Sequence, residues 1–481
     1  MFGRPMLAIG LLLCGLAVLE LAFAAIDALI GGEHWQPFLI GGCLTGTVGA
    51  GAAGAFWSAA RDTRFDHRGA FILTTLSWTA FPLMASLPFL FSPLDISFTD
   101  AVFETVSGVT TTGSTVLVGL DGFDPLLLLW RSMLQWIGGV GIILMAIIMM
   151  PFLRIGGMQL FQLESSAQHH TQMFARPVRL IQSIAGLYAG LTVICASAYY
   201  AAGKSAFDAV NHAMTTLSTG GYSTHDASLG FFSAGAIHWV AVIFMIAGAL
   251  PFMAYLRVIE GRPRAFIEDP QAPVFIALLV ATWIAAASFL TSPESGFFDS
   301  LLRVAVNITS VVTTTGYASE DYQLWGAGFI GLIFALTFVG GCAGSTSGAI
   351  KIYRFQLLRI FAAQHLRRLY SPSIVDVRHY GGAILKPEIA FSVLAFLSLF
   401  IGAFSLGAVA LAMTGLDLVT AISASATALC NVGPGFGDII GPAGNFATLP
   451  DASKWILVAL MLLGRLELFA LLVMFDPYFW R

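Results

Sequence analysis

Four short runs rich in threonine and glycine hold the residues best suited to chemistry: Thr111, Thr112 and Gly113; Ser218, Thr219 and Gly220; Thr314, Thr315 and Gly316; and Asn431, Val432 and Gly433. Such runs can turn successive backbone carbonyls toward one point, and a ring of carbonyl oxygens can replace the hydration shell of a small cation. Glycine fits because it reaches backbone angles that other residues avoid and leaves the axis free of a side chain. Gly113, Gly220, Gly316 and Gly433 are therefore expected at equivalent positions. Any one run alone is an ordinary turn. Four of them, recurring about every 100 residues between apolar stretches, point to an internal repeat.

The elements that must position these runs lie just before them. Segments 98–109, 207–217, 298–312 and 416–430 are too short and too polar to cross a bilayer. Asp100, Asp208, Asp299 and Asp417 stand near their starts and are expected as N-caps, where a carboxylate also suits the positive end of the helix dipole. Each segment is predicted to be a re-entrant helix entering from outside and ending in its Thr/Gly run. Its C-terminal end then directs partial negative charge toward a shared axis. Irregular backbone at membrane depth is tolerated only when buried in protein or lining a watery cavity, so the four runs should converge.

The whole chain supports a membrane setting. Of 481 residues, 57% are hydrophobic and 10% charged, with a mean hydropathy of +0.83. Apolar segments of spanning length run over 6–30, 37–60, 70–91, 126–152, 180–202, 237–256, 272–290, 326–339 with its continuation, 389–413 and 455–475. The first is too long for the apolar part of a signal peptide and is taken as a span. The expected fold is an all-α integral membrane protein with ten transmembrane helices. Two are an N-terminal extension (1–68), and eight form four span, re-entrant helix, loop, span units (69–176, 177–264, 265–386 and 387–481). Most of the 23 Lys and Arg, including Arg61, Arg64, Arg68, Arg154, Arg176 and the segment from Lys351 to Lys386, fall on alternate connections. The positive-inside rule then puts both termini in the cytoplasm.

Other chemistry is not indicated. Cys14, Cys43, Cys195, Cys342 and Cys430 are scattered through apolar stretches and are expected as small buried hydrophobes. His169 and His170 are adjacent, so their side chains diverge and do not suggest a metal site. No HExxH, GxSxG or Walker-type run occurs, and neither an enzyme nor a nucleic-acid partner is expected.

Two further features sit within spans. Gly340, Gly341, Gly344, Ser345, Thr346 and Gly348, followed by Lys351, interrupt the eighth span. So many small residues favour an open loop at membrane depth, the alternative being close helix packing. Arg465 in the last span is costly unless it faces a cavity or a partner, either Glu467 or a loop carbonyl. Arg131 and Glu104 suit either an anchor or the shaping of the outer mouth.

Together these features resemble the Trk/Ktr/HKT superfamily of potassium transporters, specifically the bacterial Trk-type membrane subunit. The residues that carry the resemblance, over nearly the whole chain, are the two extra N-terminal spans, Gln135 to Gly141, the Gly340 to Gly348 run, Asn431 to Gly435, and Gly464 to Glu467. It implies four filter glycines that favour potassium and tolerate rubidium, with no bound cofactor. It makes the 340–348 run an intramembrane gate and Arg465 a pore-facing electrostatic barrier. Ala349 departs from the pattern, since many relatives carry glycine there. A homodimer is implied in the cytoplasmic membrane, regulated by a cytosolic nucleotide-binding ring of the TrkA/KtrA type. The basic segment 351–386 could dock that ring, or anionic lipids of the bilayer. The competing class is a secondary transporter with broken helices at a repeat interface, which would require inverted repeats.

Overall fold

The computed structural model describes residues 2–62, 66–149, 177–291, 296–373, 378–385 and 387–481. Arg64, Arg154, His169, His170, Arg176 and Lys386 lie outside the described residues, as do the unit boundaries at 176 and 386. The described chain is mostly helical, and its one strand pair is the two-residue hairpin of β1 (His379–Tyr380) with β2 (Ala383–Ile384).

Helices α1 (Gly3–Leu29) and α2 (Trp35–Asp62) pack along each other through small residues. A Cβ on Gly10 would lie 2.5 Å from the Ala53 nitrogen, and one on Gly49 2.8 Å from the Cys14 nitrogen. Small side chains let membrane helices approach this closely. Helices α3 (His67–Ala85), α4 (Phe98–Val109), α5 (Pro125–Met149), α6 (Pro177–Ala201) and α7 (Ala206–Leu217) follow. Next come α8 (Gly235–Ala249), α9 (Phe252–Ile259), α10 (Ala272–Leu290), α11 (Phe297–Val312) and α12 (Ala327–Thr337). The last four are α13 (Ile352–Tyr370), α14 (Pro387–Met413), α15 (Leu418–Cys430) and α16 (Asp451–Arg465).

Among the described residues, 7 helices are long and apolar enough to cross a membrane, or up to 9 when each bent pair is one span. Against the ten expected, the difference lies in three breaks. Helix α8 turns into α9 by 92° because Leu250 precedes Pro251 and takes an extended conformation. Helix α16 meets residues 469–475 at 108°, across Glu467 and Leu468, which both have positive φ. The third break is the glycine run: α12 has 11 residues, which at about 1.5 Å each is roughly half of a bilayer core.

The short helices α4, α7, α11 and α15 are buried along most of their length. Their starts correct the capping expectation. Ser97 and Ser205 are the N-caps of α4 and α7; each oxygen accepts from the backbone N–H of Asp100 or Asp208 and donates to that residue's carboxylate. Asp299 likewise sits in the first turn of α11, behind an N-cap glycine, Gly296. Of the four aspartates, Asp417 alone is an N-cap, accepting from Thr420 N at 3.1 Å. Serine and aspartate cap comparably well, and with serine at the cap the first-turn carboxylate still meets the helix dipole.

Candidate functional site

Each short helix ends in the same way. Thr111, Thr219, Thr314 and Asn431 take left-handed conformations, with φ of 52°, 51°, 60° and 55°. The next residue's N–H then returns to a carbonyl five residues back: Thr112 to Ser107 at 2.8 Å, Gly220 to Thr215 at 2.9 Å, Thr315 to Ser310 at 2.8 Å and Val432 to Thr427 at 3.0 Å. This is a Schellman turn, which usually carries glycine at the left-handed position. A β-branched threonine there is strained, and such strain persists only where the surroundings enforce it.

Two residues beyond each left-handed position stands a glycine with positive φ: Gly113 (86°), Gly221 (77°), Gly316 (85°) and Gly433 (109°). The second member of the set is therefore Gly221, and Gly220 is equivalent to Thr112, Thr315 and Val432. Two consecutive glycines in the second run hid the register.

Side-chain space explains the glycines. A Cβ on Gly113 would lie 2.2 Å from the Gly220 carbonyl oxygen, one on Gly221 1.9 Å from that of Thr315, and one on Gly316 2.0 Å from that of Val432. One on Gly433 would lie 2.9 Å from the Thr112 oxygen. The four turns thus follow one another in a closed ring, each glycine against the neighbouring turn's carbonyl. All four glycines line one cavity of about 260 Å³, together with Arg131, Ser223 and His225.

Long-range partners hold the ring. The buried Tyr317 hydroxyl bonds Thr215 Oγ1 at 2.6 Å and Thr216 Oγ1 at 3.1 Å. Asn431 Nδ2 lies 2.9 Å from Thr112 Oγ1 and 3.0 Å from Met461 O. Gln135 donates to Gly220 O at 2.6 Å and accepts from Tyr222 N at 3.0 Å. The Ser218 hydroxyl donates to Thr215 O within its own turn, at 3.2 Å.

The glycine-rich run is an open loop beneath the ring, tied at its base by a parallel bridge between Val339 and Ile350. Thr346 Oγ1 lies 3.0 Å from Leu217 O and 2.9 Å from Gly248 O. Ser347 Oγ donates to Thr313 O at 2.9 Å, and Ala349 N donates to Cys430 O at 2.9 Å. The loop therefore touches the C-terminal ends of α7, α11 and α15. Gly340 and Gly348 are required by close approach: a Cβ would fall 2.2 Å from Gly348 O and 2.4 Å from Cys430 O respectively. Ala349, where glycine was the pattern, adopts φ 52°. Gly341 N bonds Ser347 Oγ at 2.9 Å, Gly344 O accepts from Phe252 N at 3.0 Å, and Ser345 Oγ donates to Cys342 O at 2.6 Å. Lys351 turns its ammonium back onto Ser347 O.

Arg465 donates from Nη1 to Thr346 O at 2.9 Å, so of its two expected partners the loop carbonyl is the one it takes. Glu467 pairs instead with Arg354, at 2.6 Å, and the Arg354 guanidinium lies 3.6 Å from the Phe396 ring centre. Arg354, Gln135, Tyr317 and Gly221 were not among the residues expected to form the filter or the gate, although Gln135 opens one of the runs that carry the resemblance. Their partners lie dozens to more than a hundred residues away, except that Gly221 had a local signal in the doubled glycine.

Long apolar helices, interleaved with short buried helices that end inside the protein, define a polytopic membrane protein. The profile of the TrkH family, described as a cation transport protein, matches residues 36–480. The chain belongs to that family. It is 46% identical over 412 residues to the Trk system potassium uptake protein TrkI of Halomonas elongata, covering 85% of this chain and 84% of the relative. It is 36% identical to the Trk system potassium uptake protein TrkH of Vibrio parahaemolyticus, over 98% of both chains. The crystal structure of the potassium transporter TrkH from Vibrio parahaemolyticus superposes with a TM-score of 0.90, at 33% identity and over 100% of both chains.

Proposed function

We propose that this protein takes up potassium across the cytoplasmic membrane through a filter built from Thr111–Gly113, 218–221, 314–316 and 431–433. The observation that carries this reading is the ring in which Gly113, Gly221, Gly316 and Gly433 each abut a neighbouring carbonyl. Such a ring suits a dehydrated monovalent cation, and the relatives' names specify potassium. Rubidium should pass as well.

In this reading the chain is organised as an N-terminal pair (1–68) and four units, 69–176, 177–264, 265–386 and 387–481, around one pore. The broken helix α12 and its continuation count as one of ten spans, with both termini in the cytoplasm. The loop from Gly340 to Gly348 closes the path below the filter, with Lys351 and Arg465 adding positive charge to the barrier. Two such chains pair, and a cytosolic nucleotide-binding ring of the TrkA/KtrA type regulates them. The basic helix α13 is suited to meet that ring and anionic headgroups together.

The test is growth rescue at low potassium in a transport-deficient host, with rubidium and sodium uptake measured beside Gly113→Ser. A membrane-inserted protein that rescues nothing would refute potassium uptake. A serine variant with the parental rubidium-to-sodium ratio would remove Gly113 from the filter.

A further inference from the structure

Helix α5 presents three residues at helical spacing, Arg131, Gln135 and Gly138, to the first two turns of the ring. Gly138 packs directly under α4, where a Cβ would fall 1.9 Å from Val109 O. Gln135 holds Gly220 and Tyr222 of the second turn. Arg131 spans both turns: Nη1 donates to Ser223 O at 3.1 Å, and Nη2 donates to Thr115 Oγ1 at 3.1 Å. Ser223 and Thr115 are equivalent, each two residues beyond its ring glycine.

The charge on Arg131 is met by Glu104 of α4, with Nε to Oε1 at 2.8 Å. Glu104 also accepts from Thr115 Oγ1 at 3.0 Å and from Val116 N at 3.0 Å. Tyr222 closes the group, its hydroxyl donating to Glu104 O at 2.7 Å and its ring centre 4.1 Å from the Arg131 guanidinium. Glu104 and Arg131 are 0% and 1% exposed. The equivalent positions in the third and fourth turns, Ala318 and Gly435, have neutral partners: Gly230 N donates to Ala318 O, and Gly435 N donates to Ile440 O.

We infer that the buried Glu104–Arg131 pair positions the filter for selectivity, bracing the second turn against the first at a fixed separation. The inference rests on the filter function proposed above. A buried ion pair is a poor way to gain stability, because an apolar pair of similar volume commonly does as well or better. What the ions supply here is direction: five hydrogen bonds fix two turns that have no covalent connection nearby. Loops released from the brace could close around a smaller ion, so sodium should enter when the pair is removed.

The experiment compares rubidium and sodium uptake in cells expressing Glu104→Gln, Arg131→Met, the double variant and Thr115→Val, normalised to membrane-inserted protein. Each single charge removal strands a buried ion and is expected to lower the amount of protein. The double variant should recover that amount, yet its rubidium-to-sodium ratio should fall about tenfold, as loss of charge-assisted hydrogen bonds implies. Thr115→Val keeps both charges and should lower the ratio by about threefold, which decides the matter if the double variant does not insert. A parental ratio in the double variant, or in Thr115→Val when only that variant inserts, would overturn the brace. Gly113→Ser separates the two claims. If it shifts the ratio and the brace variants do not, the brace alone fails; if it too leaves the ratio unchanged, the filter reading fails with it.

Discussion

The ring of glycine turns and the loop beneath it are both irregular backbone inside a helical protein, but they are held by different forces. The ring is over-determined: left-handed threonines, backbone-to-backbone approaches closed to any Cβ, and a buried ion pair across its first two turns. The 340–350 loop shares close backbone approaches at Gly340 and Gly348, but among the described residues no ion pair spans it. Apart from the guanidinium of Arg465 and the ammonium of Lys351, its ties are neutral, among them the hydroxyls of Thr346 and Ser347 and the N–H groups of Cys342, Thr346 and Ala349. Neutral bonds of that kind contribute about 1 kcal/mol each, whereas relocating a paired buried charge costs several times more. Such a difference lets one element stay fixed while the other moves, as the proposed roles of filter and gate require.

The contrast can be broken most severely in the ring. Gly221→Ala puts a methyl group against the Thr315 carbonyl, backbone that cannot step aside, and rubidium uptake should fall by about 100-fold or more. Gly220→Ala would meet the Gln135 side chain instead, which can shift, so its loss should be smaller. Equal losses would undo the register in which Gly221 is the ring glycine. In the loop the sign should reverse. Arg465→Ala removes the bond to Thr346 O and a buried positive charge, and on the proposed gating role flux should rise about tenfold in uptake assays. Thr346→Val deletes a neutral hydroxyl and should raise flux roughly threefold. A fall in either, with normal protein levels, would show that the loop supports the path and does not block it.

The smallest effect lies at the cap of α15. Hydrogen bonds from Thr420, first through its side chain and then its N–H, hold the Asp417 carboxyl below the usual carboxylate range. A lowered value means the stabilisation is present above the ordinary carboxylate range and is lost as pH falls through the lowered one. Asp417→Ala should cost about 1 kcal/mol near neutral pH, read as faster thermal inactivation, and the gap to the parent should narrow in acid. A gap independent of pH would show that the carboxylate is not the capping group.

The sequence displayed the helices and their ends well. The bounds expected for the first short helix, 98–109, are those of α4, because an aspartate near its start and a terminal Thr/Gly run are local signals, whereas the capping role of Ser97 was not read. The glycine run was equally readable as a loop. Register inside the second turn was not, since either of two adjacent glycines satisfies the pattern and only φ separates them. Pairings across the fold were also hidden: Arg354 with Glu467, Tyr317 with Thr215, and Arg131 with Ser223 are each joined by packing alone. Glu467 looked like a partner for Arg465 because it is two residues away, yet the sharp bend of the last span at Glu467 and Leu468 accompanies its pairing elsewhere.

The parallel bridge between Val339 and Ile350 makes the intervening segment a noose whose neck is knotted independently of its bight. Gly340 N and Ile350 N supply the knot, bonding Ile350 O at 2.9 Å and Phe338 O at 3.1 Å. If the loop gates the path as proposed, residues added within the bight should enlarge the obstruction without disturbing how α12 hands over to α13, whereas cutting the knot would let both half-helices drift. Aperture and anchorage can thus be altered separately by where the chain is edited.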